Sequence, residues 1–503
     1  MTWLKSYLPY FAITLGSSFP FGYQSGVINA PAELIKNFIN STFMIRMMQC
    51  DKQCIDLIWS ICVTFFVVGG FLGGFIGGIL ANKFGRKKSL LLLSIPTIIG
   101  SLLMLFSKAS QSFEMIIAGR FIIGIACGAH TVVGPMYLSE IAPVSFRGAA
   151  GTLNQLVVVC AILLSQLLGL PEVMGTDELW PYLLALCIVS SIIHIMLLST
   201  CPESPTYLYI VKGDRRRSEN ALVSLRGDDC DIQSELEILK REMECSLTRK
   251  ANICDLLRVP YLRWSLITAL IPHIGQQFSG INGILYYCVT LFMSNGLTEK
   301  QARYANLGTG FTILIGAFSS IFLIDRKGRR PLLISSISVC LASFSLFTLA
   351  LIIKQATEVS WLTIVSIGLT YTFLFGFSIG LGSIPWFLVS ELFIQENRDA
   401  AVTIAVATNW MCNTIVALVF PQLITHVGIY AFIPFIVVLI AVLIFIVRYL
   451  PETKGRTPDT IQAFFMHACS SRVIDEAYEN PSFTDTTEAA IQEDRQTQIS
   501  LIT

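Results

Sequence analysis

Pro272 to Tyr287 reads P-H-I-G-Q-Q-F-S-G-I-N-G-I-L-Y-Y. It sets three side-chain amides, Gln276, Gln277 and Asn282, among three glycines, Gly275, Gly280 and Gly283, inside an apolar run long enough to cross a bilayer. An amide offers both donors and an acceptor and does not titrate, so the chemistry available here is hydrogen bonding to an uncharged polar partner. Such groups are costly in hydrocarbon and normally face a cavity or another helix. On a regular helix they could not share a face, because Asn282 lies about 140° from Gln277 and Gln276 about 100° the other way. A break near Ser279-Gly280 would let them converge, and broken helices lining a cavity at mid-membrane are the usual build of a carrier's site. The alternative is that the amides only bond one helix to the next.

Other chemistry is sparse. No nucleophile-base-orienter set and no metal-ligand cluster stands out, and no cofactor is implied. The five histidines are dispersed. His130, His194 and His273 fall in apolar runs as packed or cavity-lining residues, so an enzyme is the class least supported. Of the 503 residues 53% are hydrophobic and 14% charged, well below the roughly 25% charged of soluble proteins. This is a membrane protein of many spans, and a net charge of +1 gives no case for nucleic acid. The 14 cysteines lie mostly in apolar runs. Cys50 and Cys54 share a non-membrane loop and can form a disulfide if that loop is extracellular.

Apolar runs place spans 1 to 6 at about 8–29, 57–80, 89–107, 115–137, 149–169 and 180–200. Spans 7 to 12 follow at about 265–293, 304–324, 331–353, 361–389, 400–423 and 428–449. The first run is too long for a signal peptide and reads as a retained span. Lys83, Arg86, Lys87 and Lys88 crowd the loop between spans 2 and 3, and Arg326, Lys327, Arg329 and Arg330 the loop between spans 8 and 9. Both termini are therefore expected in the cytoplasm. The sequon Asn40-Ser41-Thr42 then falls outside, with Asn40 as the glycosylation site. The expected organisation is an N-terminal six-helix bundle over 1–201, a cytoplasmic linker of short amphipathic helices over 202–262, a C-terminal six-helix bundle over 263–454, and a largely disordered cytoplasmic tail over 455–503.

The two halves repeat each other. Asn82-x-x-Gly85-Arg86-Lys87 matches Asp325-x-x-Gly328-Arg329-Arg330, and Ser139-Glu140 with Arg147 matches Ser390-Glu391 with Arg398. Pro202-Glu203-Ser204 matches Pro451-Glu452-Thr453, and Ser25-Gly26 matches Ser279-Gly280. In-register matches at helix ends indicate two bundles related by an axis along the membrane normal. Arg86, Glu140, Arg147, Arg329, Glu391 and Arg398 are expected to form cytoplasmic gate salt bridges, tying the halves together when the inner side is closed.

With these motifs in view, the chain resembles the facilitative hexose transporters of the GLUT type, in the sugar porter branch of the major facilitator superfamily, over about residues 8–460. The residues that carry this are Gly119-Arg120, G-R-K at 85–87, P-E-S-P at 202–205, Q-Q-F-S-G-I-N at 276–282, G-R-R at 328–330 and P-E-T-K-G at 451–455. The resemblance implies an all-α fold of twelve transmembrane helices in two pseudo-symmetric bundles. It implies passive transport of a hexose, D-glucose first, across the plasma membrane by alternating access. Gln155, Gln276, Gln277, Asn282, Trp386 and Asn409 stand where relatives contact sugar, and Tyr286 and Tyr287 match the extracellular lid.

The sequence departs from the family in two telling places: Ile313 replaces a frequent Asn of span 8, and Ser378 a Glu of span 10 in relatives that favour glucose. Both changes remove a hydrogen-bonding group and keep a fructose or dual carrier open. In span 1, proton-coupled porters place an Asp where this chain has Gln24. An amide cannot titrate there, so uniport is expected, with His273 as the one titratable group near the proposed site in a symport alternative. A non-transporting sugar sensor is the remaining alternative, disfavoured by a tail of only about 50 residues.

Overall fold

The computed structural model describes residues 2–143, 147–227, 232–248, 253–357, 359, 361–456, 458 and 460–466. Span 1 is Thr2–Gly26, span 2 Lys52–Phe84, span 3 Arg86–Phe106, span 4 Glu114–Ile141, span 5 Arg147–Leu168 and span 6 Trp180–Ser199. Span 7 comes in two pieces, Pro260–Phe278 and Ile281–Ser294, and span 8 is Glu299–Lys327. Span 9 is Arg329–Thr357, span 10 again two pieces, Trp361–Ile379 and Ile384–Leu392, span 11 Gln395–Val427 and span 12 Ile433–Tyr449. Each apolar run of the sequence is thus a span. Several helices overshoot their runs, because polar turns continue the backbone ladder beyond the apolar stretch.

Three short helices, Arg215–Arg226, Ile232–Thr248 and Ile253–Arg258, occupy the stretch between spans 6 and 7. Arg226 fastens the first two to span 4, donating from Nη1 to the Ile141 carbonyl at 2.7 Å and from Nε to Glu235 at 2.9 Å. The loop after span 1 holds a helix, Ala32–Ile45, burying Ile35, Phe38, Ile39 and Thr42 at helical spacing. Asn40 lies half-buried in it, and the Thr42 hydroxyl of the sequon is buried against the Phe38 carbonyl. Cys50 and Cys54 are joined in a disulfide. Residues 460–466 are helical, with Ile461 and Phe465 buried. The rest of the expected disordered tail, 467–503, lies outside the described residues.

Span 2 shows why its glycines come in pairs spaced by four. One row, Gly69, Gly73 and Gly77, lies against the backbone of span 4 at Phe121, Ile125 and Ala129. The adjacent row, Gly70, Gly74 and Gly78, faces the other bundle at Trp410, Ala407 and Thr403 of span 11. Small residues let both neighbours approach to backbone distance.

The repeated charge motifs build the same joint in each half. Gly85 and Gly328 take φ of +92° and +89°, a region side chains disfavour. Glu203 then accepts from the backbone N–H of Arg86 and Lys87, both at 2.9 Å, at the N-terminus of span 3. Glu452 does the same for Arg329 and Arg330 at span 9, at 2.9 and 3.0 Å. Burial pushes the Glu452 carboxyl up, but these N–H groups outweigh it and hold it below the usual carboxylate range. Arg86 bonds Glu140 at 2.7 and 3.0 Å, and Arg329 bonds Glu391 at 2.8 and 3.0 Å. Ser204 and Thr453 donate to the same two carboxylates. Here the structure differs from the expectation that these pairs tie the two halves together: both lie within a half and clamp the end of span 4 to span 3, and of span 10 to span 9. The reason is reach, since each Arg begins the helix beside its own Glu. Arg398 is half-buried, and the side chain of Arg147 lies outside the described residues.

The two joints differ in burial, and this sets an expected outcome. Side-chain exposure is 4% and 12% for Arg86 and Glu140, against 18% and 24% for Arg329 and Glu391. Glu140→Ala strands a buried guanidinium and should destabilise by about 3–5 kcal/mol. Glu391→Ala leaves Arg329 partly in water and should cost roughly half as much. Unfolding midpoints of the purified variants in detergent check this; equal shifts, or a larger one for Glu391→Ala, would contradict the burial argument.

Candidate functional site

Span 7 breaks where the sequence placed the break. Its first helix ends at Phe278, Gly280 takes φ +85° in the left-handed region, and Ile281 starts the second. Span 10 breaks at 380–383, among Gly380, Gly382 and Pro385. The two breaks meet. Leu381 and Gly382 have carbonyls with no donor of their own helix: the residue four beyond Leu381 is Pro385, which has no N–H, and the Trp386 N–H turns to Ser383 instead. Gln276 satisfies both, donating from Nε2 at 2.8 and 2.9 Å.

A backbone carbonyl can only accept, so the orientation of Gln276 is fixed, and every following amide with it. Gln276 Oε1 accepts from Asn409 Nδ2 at 2.7 Å, and Asn409 Oδ1 accepts from Gln277 Nε2 at 2.8 Å. Gln277 Oε1 accepts from Asn282 Nδ2. Asn409 Nδ2 also lies 3.2 Å from His273 Nδ1, which makes that nitrogen an acceptor and the imidazole neutral there. The His273 ring stands edge-on to Trp386, centroids 5.4 Å apart. The structure therefore brings together Gln276, Gln277, Asn282 and Asn409 as one relay, with Trp386 beside it.

Gln276, Gln277 and Asn409 are buried, while Asn282, Trp386 and, on span 5 of the other half, Gln155 are half-buried. One turn from Gln155, Gly151 is exposed and a Cβ on it would meet no described atom within 4 Å; the end carrying Arg86 and Arg329 is here termed the basic end. The opposite end, where Asn40 lies, is shut by a seam between the halves. Asn29 donates to the Leu285 carbonyl at 3.0 Å, and Gln166 to Thr309 at 3.2 Å. Arg303 donates to the Gly175 carbonyl at 3.0 Å, and Lys300 pairs with Glu172 at 3.0 Å. Lys300 and Tyr304 beside it hold the Glu172 carboxyl below the usual range. Tyr286 and Tyr287 are buried at this end, Tyr286 with Asn413 donating to its hydroxyl at 3.4 Å.

Ile313 and Ser378 stand on spans 8 and 10, both buried, and Ser378 spends its hydroxyl on the Leu374 carbonyl. A pair the sequence did not assemble is Arg120 with Gln24. The fully buried guanidinium donates from Nη1 to the Gln24 backbone carbonyl at 2.8 Å and to its Oε1 at 3.1 Å, and lies 4.4 Å over the Phe66 ring. Among the described residues no Asp or Glu pairs with it. The signal was present in the sequence, an Arg inside the apolar run of span 4, but nothing there named its partner.

The model of the family described as sugar (and other) transporter matches residues 10–465. The facilitated glucose transporter member 3 of solute carrier family 2 from Ovis aries is 39% identical over 459 residues, covering 90% of this chain and 92% of the relative, and the Rattus norvegicus protein matches equally. Among solved structures, the major facilitator superfamily proton:xylose symporter XylE bound to 6-bromo-6-deoxy-D-glucose superposes with a TM-score of 0.77 at 24% identity, over 92% of this chain and 100% of that one. XylE from E. coli in a partially occluded inward-open conformation gives 0.72 at 24%, over 90% and 99%. These structures speak for the fold. Twelve spans in two bundles, a seam closed at one end, and a family match over nine-tenths of the chain place this protein in the sugar (and other) transporter family, with the facilitated glucose transporters among its relatives.

Proposed function

We propose that this chain carries D-glucose passively across the plasma membrane by alternating access, with both termini in the cytoplasm and no proton coupled to the sugar. The observation that carries the passive reading is the pair Arg120–Gln24. A coupled carrier needs a buried group that gains and loses a proton during its cycle, and the partner of the Arg120 guanidinium is an amide. Glucose as cargo is supported by the printed name of the 39% identical relatives and by Trp386, whose ring offers an apolar platform to the C–H face of a pyranose. Fructose stays the competing cargo because Ile313 and Ser378 add no hydrogen bond to the site. Proton coupling is the second reading, favoured by the likeness to a proton:xylose symporter and by His273 beside the relay.

On this reading the sugar lies between the bundles against Gln155, Gln276, Gln277, Asn282, Trp386 and Asn409. Each net hydrogen bond contributes about 0.5–1.5 kcal/mol. A few of them reach roughly −4 kcal/mol, the millimolar regime from which a carried sugar can still leave. Tyr286 and Tyr287 form the outer lid. The basic end is the inner gate, where Arg86, Glu140, Arg147, Arg329, Glu391 and Arg398 govern opening through the joints that hold spans 4 and 10. Asn40 takes its glycan before the helix around it closes, since its sequon hydroxyl is buried afterwards.

Gln277→Ala removes the middle of the relay, and the half-saturation concentration for glucose should rise severalfold while the protein still reaches the membrane. Unchanged transport by that variant would remove Gln277 from the site. Proteoliposomes test the rest. Labelled glucose should equilibrate to equal concentrations inside and outside under a pH gradient, acid outside, and unlabelled glucose should compete better than fructose. Accumulation that collapses with a protonophore would overturn uniport and point to His273, and stronger competition by fructose would overturn the choice of sugar.

A further inference from the structure

The break in span 10 leaves more backbone groups to satisfy than Gln276 can reach. The Gly382 N–H bonds back to the Phe377 carbonyl at 2.8 Å, taking the acceptor that Leu381 would use in an unbroken helix. The Leu381 N–H goes instead to Ser336 Oγ of span 9, at 2.9 Å. The same hydroxyl donates to the Gly376 carbonyl at 2.7 Å, one turn before the break. Ser320 of span 8 donates to the Ile379 carbonyl at 2.8 Å, because the Ser383 N–H that would have served it turns to Gly380. Ser336 and Ser320 are each 1% exposed. Gly376 and Gly380 leave the room: a Cβ on Gly380 would lie 2.7 Å from the Ser336 Cβ.

We propose that Ser336 is a positioning residue for sugar binding: its hydroxyl, acting on both sides of the span 10 break, presents the Leu381 and Gly382 carbonyls to Gln276 and so sets the polarity of the whole amide relay. Ser320 supports the same break from span 8. Nothing in the sequence marks either serine, since both lie in helices with no amide or charge beside them. A buried hydroxyl that both donates and accepts is the only group of its size able to satisfy a carbonyl and an N–H at once. Without it, the Leu381 N–H has no acceptor in an apolar setting, and the break must shift or close to find one. Either movement turns the two carbonyls away from Gln276. Its amide is then free to rotate, and the fixed sequence of donors and acceptors through Asn409 and Gln277 to Asn282 is lost. The inference rests on the site reading above in placing sugar against Gln276.

Two measurements on Ser336→Ala read it. The first is hydrogen exchange of the segment 377–388 in the purified protein without sugar, which should quicken while exchange elsewhere in spans 9 and 10 does not. The second is equilibrium exchange of labelled D-glucose in proteoliposomes, or of fructose if glucose is not carried. KM should rise about three- to tenfold, the range expected from losing one or two net hydrogen bonds, with turnover per reconstituted molecule nearly unchanged. A purely structural serine would give the opposite split, less active protein at an unaltered KM. Ser338→Ala, on the exposed face of the same helix, should match the unaltered protein in both measurements. If Ser336→Ala does not reach the membrane, Ser336→Cys replaces it: a thiol is a weak donor and acceptor, so exchange should quicken and KM rise in the same direction by a smaller factor. An unaltered KM in the variant that folds, or a raised KM with unaltered exchange over 377–388, overturns the proposal. Because hydrogen exchange involves no sugar, an error about the cargo would leave that measurement standing.

Discussion

Two carbonyl groups in a membrane interior, those of Leu381 and Gly382, must be given donors, and the site depends on how that is met. A helix satisfies its own carbonyls; a broken one in lipid must be satisfied by its neighbours. The donor here is the Gln276 side chain. Because those carbonyls cannot donate, the amide has one orientation, and each later member of the relay inherits its own. A cluster of amides is therefore not a set of interchangeable polar groups in this protein. It is a directional chain that begins at a backbone defect in span 10 and ends at the half-buried Asn282. Its geometry is as rigid as the break that starts it, which is why serines of spans 8 and 9 that touch no proposed ligand belong to the same structure.

How much of this was legible in the sequence follows from the range of each signal. The spans were readable because lipid demands apolar length from each helix separately. The break at Ser279-Gly280 was readable because the amides made no sense on an unbroken helix, and the bend of span 10 because Gly380, Gly382 and Pro385 stand together. What stayed hidden were pairings between distant segments. Gln24 and Arg120 are each visible as polar residues in apolar runs, but their contact spans 96 positions. Ser336 was hidden more deeply, for a serine in a membrane helix usually bonds back to its own turn, as Ser335 and Ser338 do. The helix Ala32–Ile45 stayed hidden because its buried stripe at Ile35, Phe38, Ile39 and Thr42 is too short and too interrupted by polar residues to read as a span. The motif charges were expected to pair across the halves; the two pairs described, Arg86–Glu140 and Arg329–Glu391, each lie within one half.

That last difference bears on how the carrier moves. The two halves repeat their joints closely, yet they do not repeat their breaks. Span 4, the counterpart of span 10, is one continuous helix from Glu114 to Ile141. In span 1, Ser25-Gly26 ends the helix, whereas the equivalent Ser279-Gly280 interrupts span 7 and the helix resumes. The two helices broken beside the relay, and all of the relay, belong to the C-terminal half; in the N-terminal half it is span 6 that comes in two pieces, Trp180–Ala185 and Cys187–Ser199. Within the repeated pair of spans 4 and 10, bending at a mid-helix break is therefore available to span 10 and not to span 4.

The unequal burial of the two joints fits that division. Glu140 closes the end of an unbroken helix and is clamped by an almost fully buried Arg86; Glu391 ends the nine-residue helix Ile384–Leu392 and is held by an Arg329 that reaches water. A charge pair with access to solvent can exchange partner for water at little cost, while a buried pair cannot part without leaving a charge stranded. The short helix of span 10 carries Trp386 near its start and Glu391 near its end, so any swing about the break moves the platform beside the relay and loosens the joint at the basic end together. The same nine residues thus connect the amide relay to the basic end, and of the two repeated joints the more exposed one is the one with a break in the helix behind it.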